Sequence, residues 1–400
     1  MPFRNRTRKK TTPSLSGALA CLAVLLSTGQ ACLYSECSRT DVVCHTGAFV
    51  LYTERDCNLT QSLAVGAFQQ ISYVKASNTE PNDFFGGDIA FDCSTQTLAV
   101  GTIGESSSAS NGVNGNQSDN SASNAGAVYV FRRSGTNWSQ EAYLKASNAG
   151  ANDNFGRTLA LYGNILGVGA PAEASNATGV NGNQSDNSVV GAGAVYLFRN
   201  SGTNWSQDFY IKASNPDAGD NFGDGLSLSE GVMAVAASQE SSNAIGINGN
   251  QADNSASISG AVYVFRRGVS TWTQEAYVKA SNTAFTDVFG SAVKISRHIL
   301  AVGAINDDSN ARGINGNDAD NSSADSGAAF VYLYENGAWK QTTYLKSSNS
   351  DAGDGWGVRM GLSGDVLVIS STGEDGAATG VNGDETSNAA TNAGAVYVFK

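Results

Sequence analysis

Phe155-Gly156-Arg157-Thr158-Leu159-Ala160-Leu161-Tyr162-Gly163-Asn164-Ile165-Leu166-Gly167-Val168-Gly169-Ala170 is the stretch on which the fold turns. Residues 158–161, Thr-Leu-Ala-Leu, read as a short strand. Tyr162-Gly163-Asn164 is a tight turn of the kind that joins antiparallel strands. Residues 165–170 are almost wholly apolar, as expected of a strand buried on both faces. A polar loop of about twenty residues follows. Residues 194–198 form a third strand, Ser201-Gly202-Thr203-Asn204 turns the chain, and residues 205–213 give a fourth.

This unit recurs five times at a period of about 67 residues. Phe85-Gly86, Phe155-Gly156, Phe222-Gly223, Phe289-Gly290 and Trp356-Gly357 open the copies. Gly-Ala-Val-Tyr-Val-Phe or a close variant starts at Gly126, Gly193, Gly260, Gly327 and Gly394. Tyr-x-Lys-Ala/Ser-Ser-Asn places a lysine at Lys75, Lys145, Lys212, Lys279 and Lys346. Four antiparallel strands repeated at this length predict an all-β fold, a β-propeller of four-stranded antiparallel blades. Five repeats are visible, as a ring of five or as part of a larger one. Residues 72–76 read as a fourth strand standing before the first Phe-Gly. Residues 47–52 (Gly-Ala-Phe-Val-Leu-Tyr) read as a third strand, one more than a simple five-blade closure needs.

Phe155-Gly156, Val168-Gly169-Ala170-Pro171 and Gly193-Ala194-Val195-Tyr196 resemble the FG-GAP repeats of integrin α-subunit propellers and of related bacterial exported proteins. The resemblance covers about residues 47–400. It implies a propeller and a broad class of adhesion or surface interaction, but no single ligand, because that fold hosts many functions. Integrin-type repeats hold calcium in an Asp-x-Asp-x-Asp-Gly loop between strands 1 and 2. Here that place is taken by Tyr162-Gly163-Asn164 or Leu362-Ser363-Gly364-Asp365, so the family's metal site does not carry over.

Residues 1–31 read as a signal peptide: Arg4, Arg6, Arg8, Lys9 and Lys10 precede an apolar run over residues 15–26, with Gly29-Gln30-Ala31 before Cys32. Export to the cell surface, an outer membrane anchor or the extracellular space is expected. Cys32 is the candidate lipid attachment site, plain secretion being the alternative. Residues 32–46 form a Cys-containing linker and residues 47–400 the propeller. Cys37, Cys44, Cys57 and Cys93 are candidates for disulfides. Of three possible pairings, Cys57–Cys93 with Cys37–Cys44 is favoured. Without residues 1–31 the chain holds 19 basic and 36 acidic residues, a net charge of −17. That argues against nucleic acid or an anionic membrane as partner. Membrane contact is expected only through the signal or a lipid anchor.

In such a blade the loop between strands 2 and 3 and the loop between blades share one rim. The first carries Asn114, Asn116 and Asp119; Asn181, Asn183 and Asp186; Asn248, Asn250 and Asp253; and Asn315, Asn317 and Asp320. The second carries Asp83, Asp153, Asp220, Asp287 and Asp354, each two residues before the aromatic. A further acid, Glu105, Glu173, Glu240, Asp307 or Glu374, follows strand 2. Carboxylates with neutral amide oxygens are what calcium prefers, so these residues are candidate metal ligands and calcium the candidate cofactor. Asn, Asp and Gly also make turns and cap backbone groups. Both readings stand on sequence.

Catalysis needs one blade that differs from the rest, and none stands out. No Ser/His/Asp set recurs. Arg297-His298 lies in a strand 1–2 turn. Ser134-Gly135-Thr136-Asn137-Trp138 is similar to a sialidase Asp-box turn but lacks the Asp. The expectation is a monomeric, non-catalytic binder of a protein or glycan at a cell surface or matrix. A structural envelope scaffold is the alternative, and a glycan-active hydrolase a more distant one.

Overall fold

The computed structural model describes residues 70–108, 112–202 and 204–400. The first sheet holds β1 (Ile89–Asp92), β2 (Thr97–Thr102), β3 (Ala127–Ser134) and β4 (Asn137–Leu144). The second holds β5 (Thr158–Tyr162), β6 (Ile165–Ala170), β7 (Ala194–Asn200) and β8 (Trp205–Ile211). The third holds β9 (Gly225–Ser229), β10 (Val232–Ala237), β11 (Ala261–Arg267) and β12 (Trp272–Val278). The fourth holds β13 (Phe289–Ser296), β14 (Ile299–Ala304), β15 (Ala328–Glu335) and β16 (Ala338–Leu345). The fifth has three strands, β17 (Arg359–Ser363), β18 (Val366–Ser371) and β19 (Ala395–Phe399). Every sheet is an antiparallel meander in chain order. Together they are the five blades of a β-propeller.

The innermost strands stack in sequence, β1 on β5, β5 on β9, β9 on β13 and β13 on β17. Glycine makes this approach possible. A Cβ on Gly169 would lie 2.1 Å from the carbonyl oxygen of Gly223 in the next blade. Gly156, at φ +91°, takes a left-handed conformation that costs glycine nothing. The second strands of the second and third blades are apolar because they are covered on both sides: β6 and β10 are buried at every position.

Aromatics fill the space between blades. Phe155 is fully buried and meets Tyr196 and Phe198 edge-on, with centroids 5.3 and 6.0 Å apart. Trp205 packs in the same cluster, and its indole N–H donates to Glu141 of the preceding blade at 3.2 Å. A bulge shifts the third–fourth strand register at one equivalent place in all four complete blades, after Val130, Leu197, Val264 and Val331.

The structure corrects one expected element. Residues 72–76 join no strand ladder, because no described third strand stands beside them. Val74 and Ala76 instead pack against the first blade. Residues 47–52, the signal segment, the linker, Cys32, Cys37, Cys44 and Cys57 lie outside the described residues. Cys93 lies just after β1, in the turn to β2.

Candidate functional site

The expected shared rim is formed. Asn152 N–H donates to the carbonyl of Ser123 and Asn154 N–H to that of Asn124, tying the inter-blade loop to the 2–3 loop before it. The same ties recur from Gly219 to Val190, Thr286 to Ser257 and Gly353 to Ala324.

The repeated asparagines and aspartates have separate tasks on this rim. Asn114, Asn181, Asn248 and Asn315 take positive φ, between 54° and 56°. Each Oδ1 accepts the backbone N–H of the fourth-strand tyrosine, Tyr143, Tyr210, Tyr277 or Tyr344, at 2.9 Å. Asn116, Asn183, Asn250 and Asn317 accept the N–H two residues on. Their side chains otherwise face solvent. Asp119, Asp186, Asp253 and Asp320 each accept the N–H two residues on, from Ser121, Ser188, Ser255 and Ser322. The Ser108 hydroxyl and amide, with Ser121, hold the Asp119 carboxyl down to about 2. Ser188 and Ser255 depress Asp186 and Asp253 in the same way.

The five inter-blade aspartates are buried. Asp83, Asp153, Asp220, Asp287 and Asp354 each accept the N–H three residues back, from Glu80, Gly150, Asp217, Ala284 and Asp351. Burial outweighs that bond and raises all five, Asp153 to about 6 and Asp220 and Asp287 to about 7.

The oxygens of Asn114, Asn116, Asp119 and their copies are turned onto N–H and hydroxyl groups. Among the described residues no group of three or more His, Cys, Asp or Glu side chains is placed to hold a metal ion together. In the structure these oxygens serve turn and cap chemistry.

What sequence reading missed is the pairing of two signals it had seen separately. The acid after strand 2 meets the lysine at the end of strand 4. Lys145 Nζ lies 2.8 Å from Glu105, Lys212 2.9 Å from Glu173, Lys279 3.0 Å from Glu240 and Lys346 3.3 Å from Asp307. All eight side chains are at most 1% exposed. The fourth-strand tyrosine donates its hydroxyl to the same carboxylate, at 2.7 to 2.9 Å. An asparagine from the preceding blade's exit, Asn148, Asn215 or Asn282, adds its amide to Glu173, Glu240 or Asp307. Burial lowers each lysine, and the carboxylate opposes that shift. A buried carboxylate holding three donors from two blades is a rivet under the rim. The signal was a lysine standing in every copy two residues after the fourth-strand tyrosine, directly after an apolar residue.

Two segments, residues 138–198 and 272–332, match the family model described as the FG-GAP repeat. They begin 134 residues apart, two periods of the recurrence. Each runs from a fourth strand through the third strand of the next blade, so the family's unit spans a blade junction. The matched segments cover 122 of the 400 residues, and together with the five-bladed fold they agree with the FG-GAP resemblance of the repeated motifs. The curated proteins yield no match to the chain.

Proposed function

We propose that this propeller is an exported, non-catalytic binding module that engages a protein or glycan of repetitive structure through the rim loops. The observation that carries the reading is the fourfold recurrence of one loop form. Asn116, Ser118 and Asn120 are exposed at the tip of the first; Asn183, Ser185 and Asn187, then Asn250, Ala252 and Asn254, then Asn317, Ala319 and Asn321 follow. Each tip is held from below by the tyrosine–lysine–carboxylate rivet. Exposed amides offer paired donors and acceptors to sugar hydroxyls or peptide groups. Equivalent weak sites on one frame gain strongly when the ligand repeats too. The depressed rim carboxylates remain charged at neutral pH and disfavour polyanions.

The test is a panel of immobilised polysaccharides and matrix proteins, each against its own monomeric unit. The variant combines Asn116→Ala, Asn183→Ala, Asn250→Ala and Asn317→Ala. Binding to a polymer but not its monomer, lost in the variant with the fold intact, supports the reading. Equal affinity for monomer and polymer, or an unaffected variant, overturns it.

A further inference from the structure

One blade junction is built unlike its neighbours. Wherever an inter-blade loop is tied to the 2–3 loop before it, three residues take positive φ. Between the first and second blades they are Asn124, Asn152 and Asn154. Between the second and third they are Gly191, Gly219 and Asn221, and between the fourth and fifth Asp325, Gly353 and Gly355. Asn, Asp and Gly take this conformation at low cost. Between the third and fourth blades the residues are Ile258, Thr286 and Val288, at φ 58°, 65° and 56°. Among the described residues these are the only β-branched side chains at positive φ. Val288 N–H donates to the Ile258 carbonyl at 3.1 Å and Thr286 N–H to that of Ser257 at 3.0 Å, so the strained residues meet at one place.

The fold does not ask for these residues, since the same turns and ties form with Asn and Gly at the other junctions. Strain that the fold can do without points to use. What the three residues add is apolar surface on the rim. Phe285, 61% exposed, stands beside them, where Ala151, Ala218 and Ala352 stand at the other junctions. Ile258 is 36% exposed and Val288 half-buried. An exposed aromatic grouped with aliphatic side chains on a polar rim is what a protein contact uses as its anchor. Carboxylates flank this patch. Asn306 Nδ2 donates to the Thr286 carbonyl at 3.1 Å, and Asn306 N–H to that of Asp287 at 3.2 Å. Burial raises Asp287, and Asp308, two residues beyond Asn306, is near enough to add to the shift. Asp308 accepts the Asp325 N–H at 2.8 Å, so a second, exposed acid stands beside it. Ser106, Ala174 and Ser241 take the place of Asp308 in the first three blades. Arg312, on the same loop, is engaged with Asp351.

We propose that the junction of the third and fourth blades is a separate docking site for a protein segment that joins an aromatic or aliphatic anchor to a lysine or arginine. The anchor packs on Phe285, Ile258 and Val288, and the cation meets Asp308 and Asp325. Charge decides the class of occupant. A neutral glycan leaves the apolar patch unused, and an acidic partner is repelled by the two carboxylates and by the chain's net charge of −12. The site does not depend on the asparagine tips of the four rim loops.

The test pans a displayed random-peptide library on the 400-residue chain and measures the resynthesised peptides by calorimetry. Ile258→Asn with Val288→Asn gives this junction the residues of the first, Asn124 and Asn154. That variant should melt no lower than the wild type, because the strain is relieved, and should weaken the peptides by at least about tenfold. Asp308→Ser with Asp325→Asn, the pair found in the first blade, should also weaken them by about tenfold, and added salt should weaken wild-type binding. Asn116→Ala should leave the peptides bound as before. A library that yields no binder, selected peptides without a basic residue, or equal affinity for the Ile258→Asn, Val288→Asn chain overturns the proposal. A variant that melts several degrees lower would assign the strained residues to the fold and overturn it too. So would self-association of the wild type that this variant loses, which would give the patch to a second copy.

Discussion

Removing one member of a buried rivet should cost far more than removing both. In the second blade Glu173 receives Lys212 at 2.9 Å, the Tyr210 hydroxyl at 2.9 Å, Asn148 at 2.9 Å and the Ser175 N–H at 3.2 Å. Neither charged side chain is more than 1% exposed. Lys212→Met keeps the stem's packing and leaves a buried carboxylate without its cation. Glu173→Gln keeps an acceptor for Tyr210 and Asn148 and leaves the ammonium alone. Breaking a buried pair from one side costs about 3–5 kcal/mol, whereas replacing both charges is often close to neutral. Each single variant should therefore lose about 3–5 kcal/mol. The double variant should lose less than either, giving a coupling energy of at least about 2 kcal/mol. Urea unfolding followed by tryptophan fluorescence suits the measurement, since Trp205 lies on the same strand as Tyr210. Single variants that each cost under about 1 kcal/mol, or costs that simply add, would refute the rivet.

The buried inter-blade aspartates make the opposite case. Burial raises Asp220 and Asp287 above their unfolded value, so in the folded state they hold protons that the unfolded chain releases. Their effect on stability is most favourable below about pH 4 and is lost as pH rises through about 7. Asp220→Asn, which can still accept the Asp217 N–H, should raise the melting temperature at about pH 8 and show no gain at about pH 4; an equal effect at both would contradict the assignment. Gly169→Ala should destabilise by about 1–3 kcal/mol or more, because its methyl meets backbone of the next blade. Gly179→Ala, at φ +68° with open space around it, should cost only about 1 kcal/mol of backbone strain. The order of the two in calorimetry separates close approach from conformation. Calcium added to chelator-stripped protein should leave the melt unchanged, since the rim oxygens already accept N–H and hydroxyl donors. A rise of several degrees would mean that the loops rearrange into a cage.

Much of the fold was legible because its causes are local and repeated. The Phe-Gly, Gly-Ala and Tyr-Val-Phe markers fall where strands must touch, and the strands appear where the turns and apolar runs placed them. The second blade's Ile165–Ala170 matches its expected bounds. Residues 72–76 misled because a strand's own pattern does not supply its neighbour. The rim was only half legible. Asn114 and Asp119 look alike as oxygen donors in sequence, but one caps a strand in another part of the blade and the other its own turn. Which oxygen faces which N–H depends on backbone φ, and the sequence shows that only through glycine and asparagine. Lys212 and Glu173 lie 39 residues apart, and their meeting is a fact of blade geometry.

Equivalence of the rim loops as binding sites is tested by removing them one at a time. Asn116→Ala, Asn183→Ala, Asn250→Ala and Asn317→Ala would be made singly and then cumulatively, and avidity read on the polymer that the panel selects. Equivalent sites predict similar small losses for each single variant and a steep, graded fall as they accumulate. A single variant that abolishes binding while the other three change nothing would place one dedicated site on the rim and contradict the account.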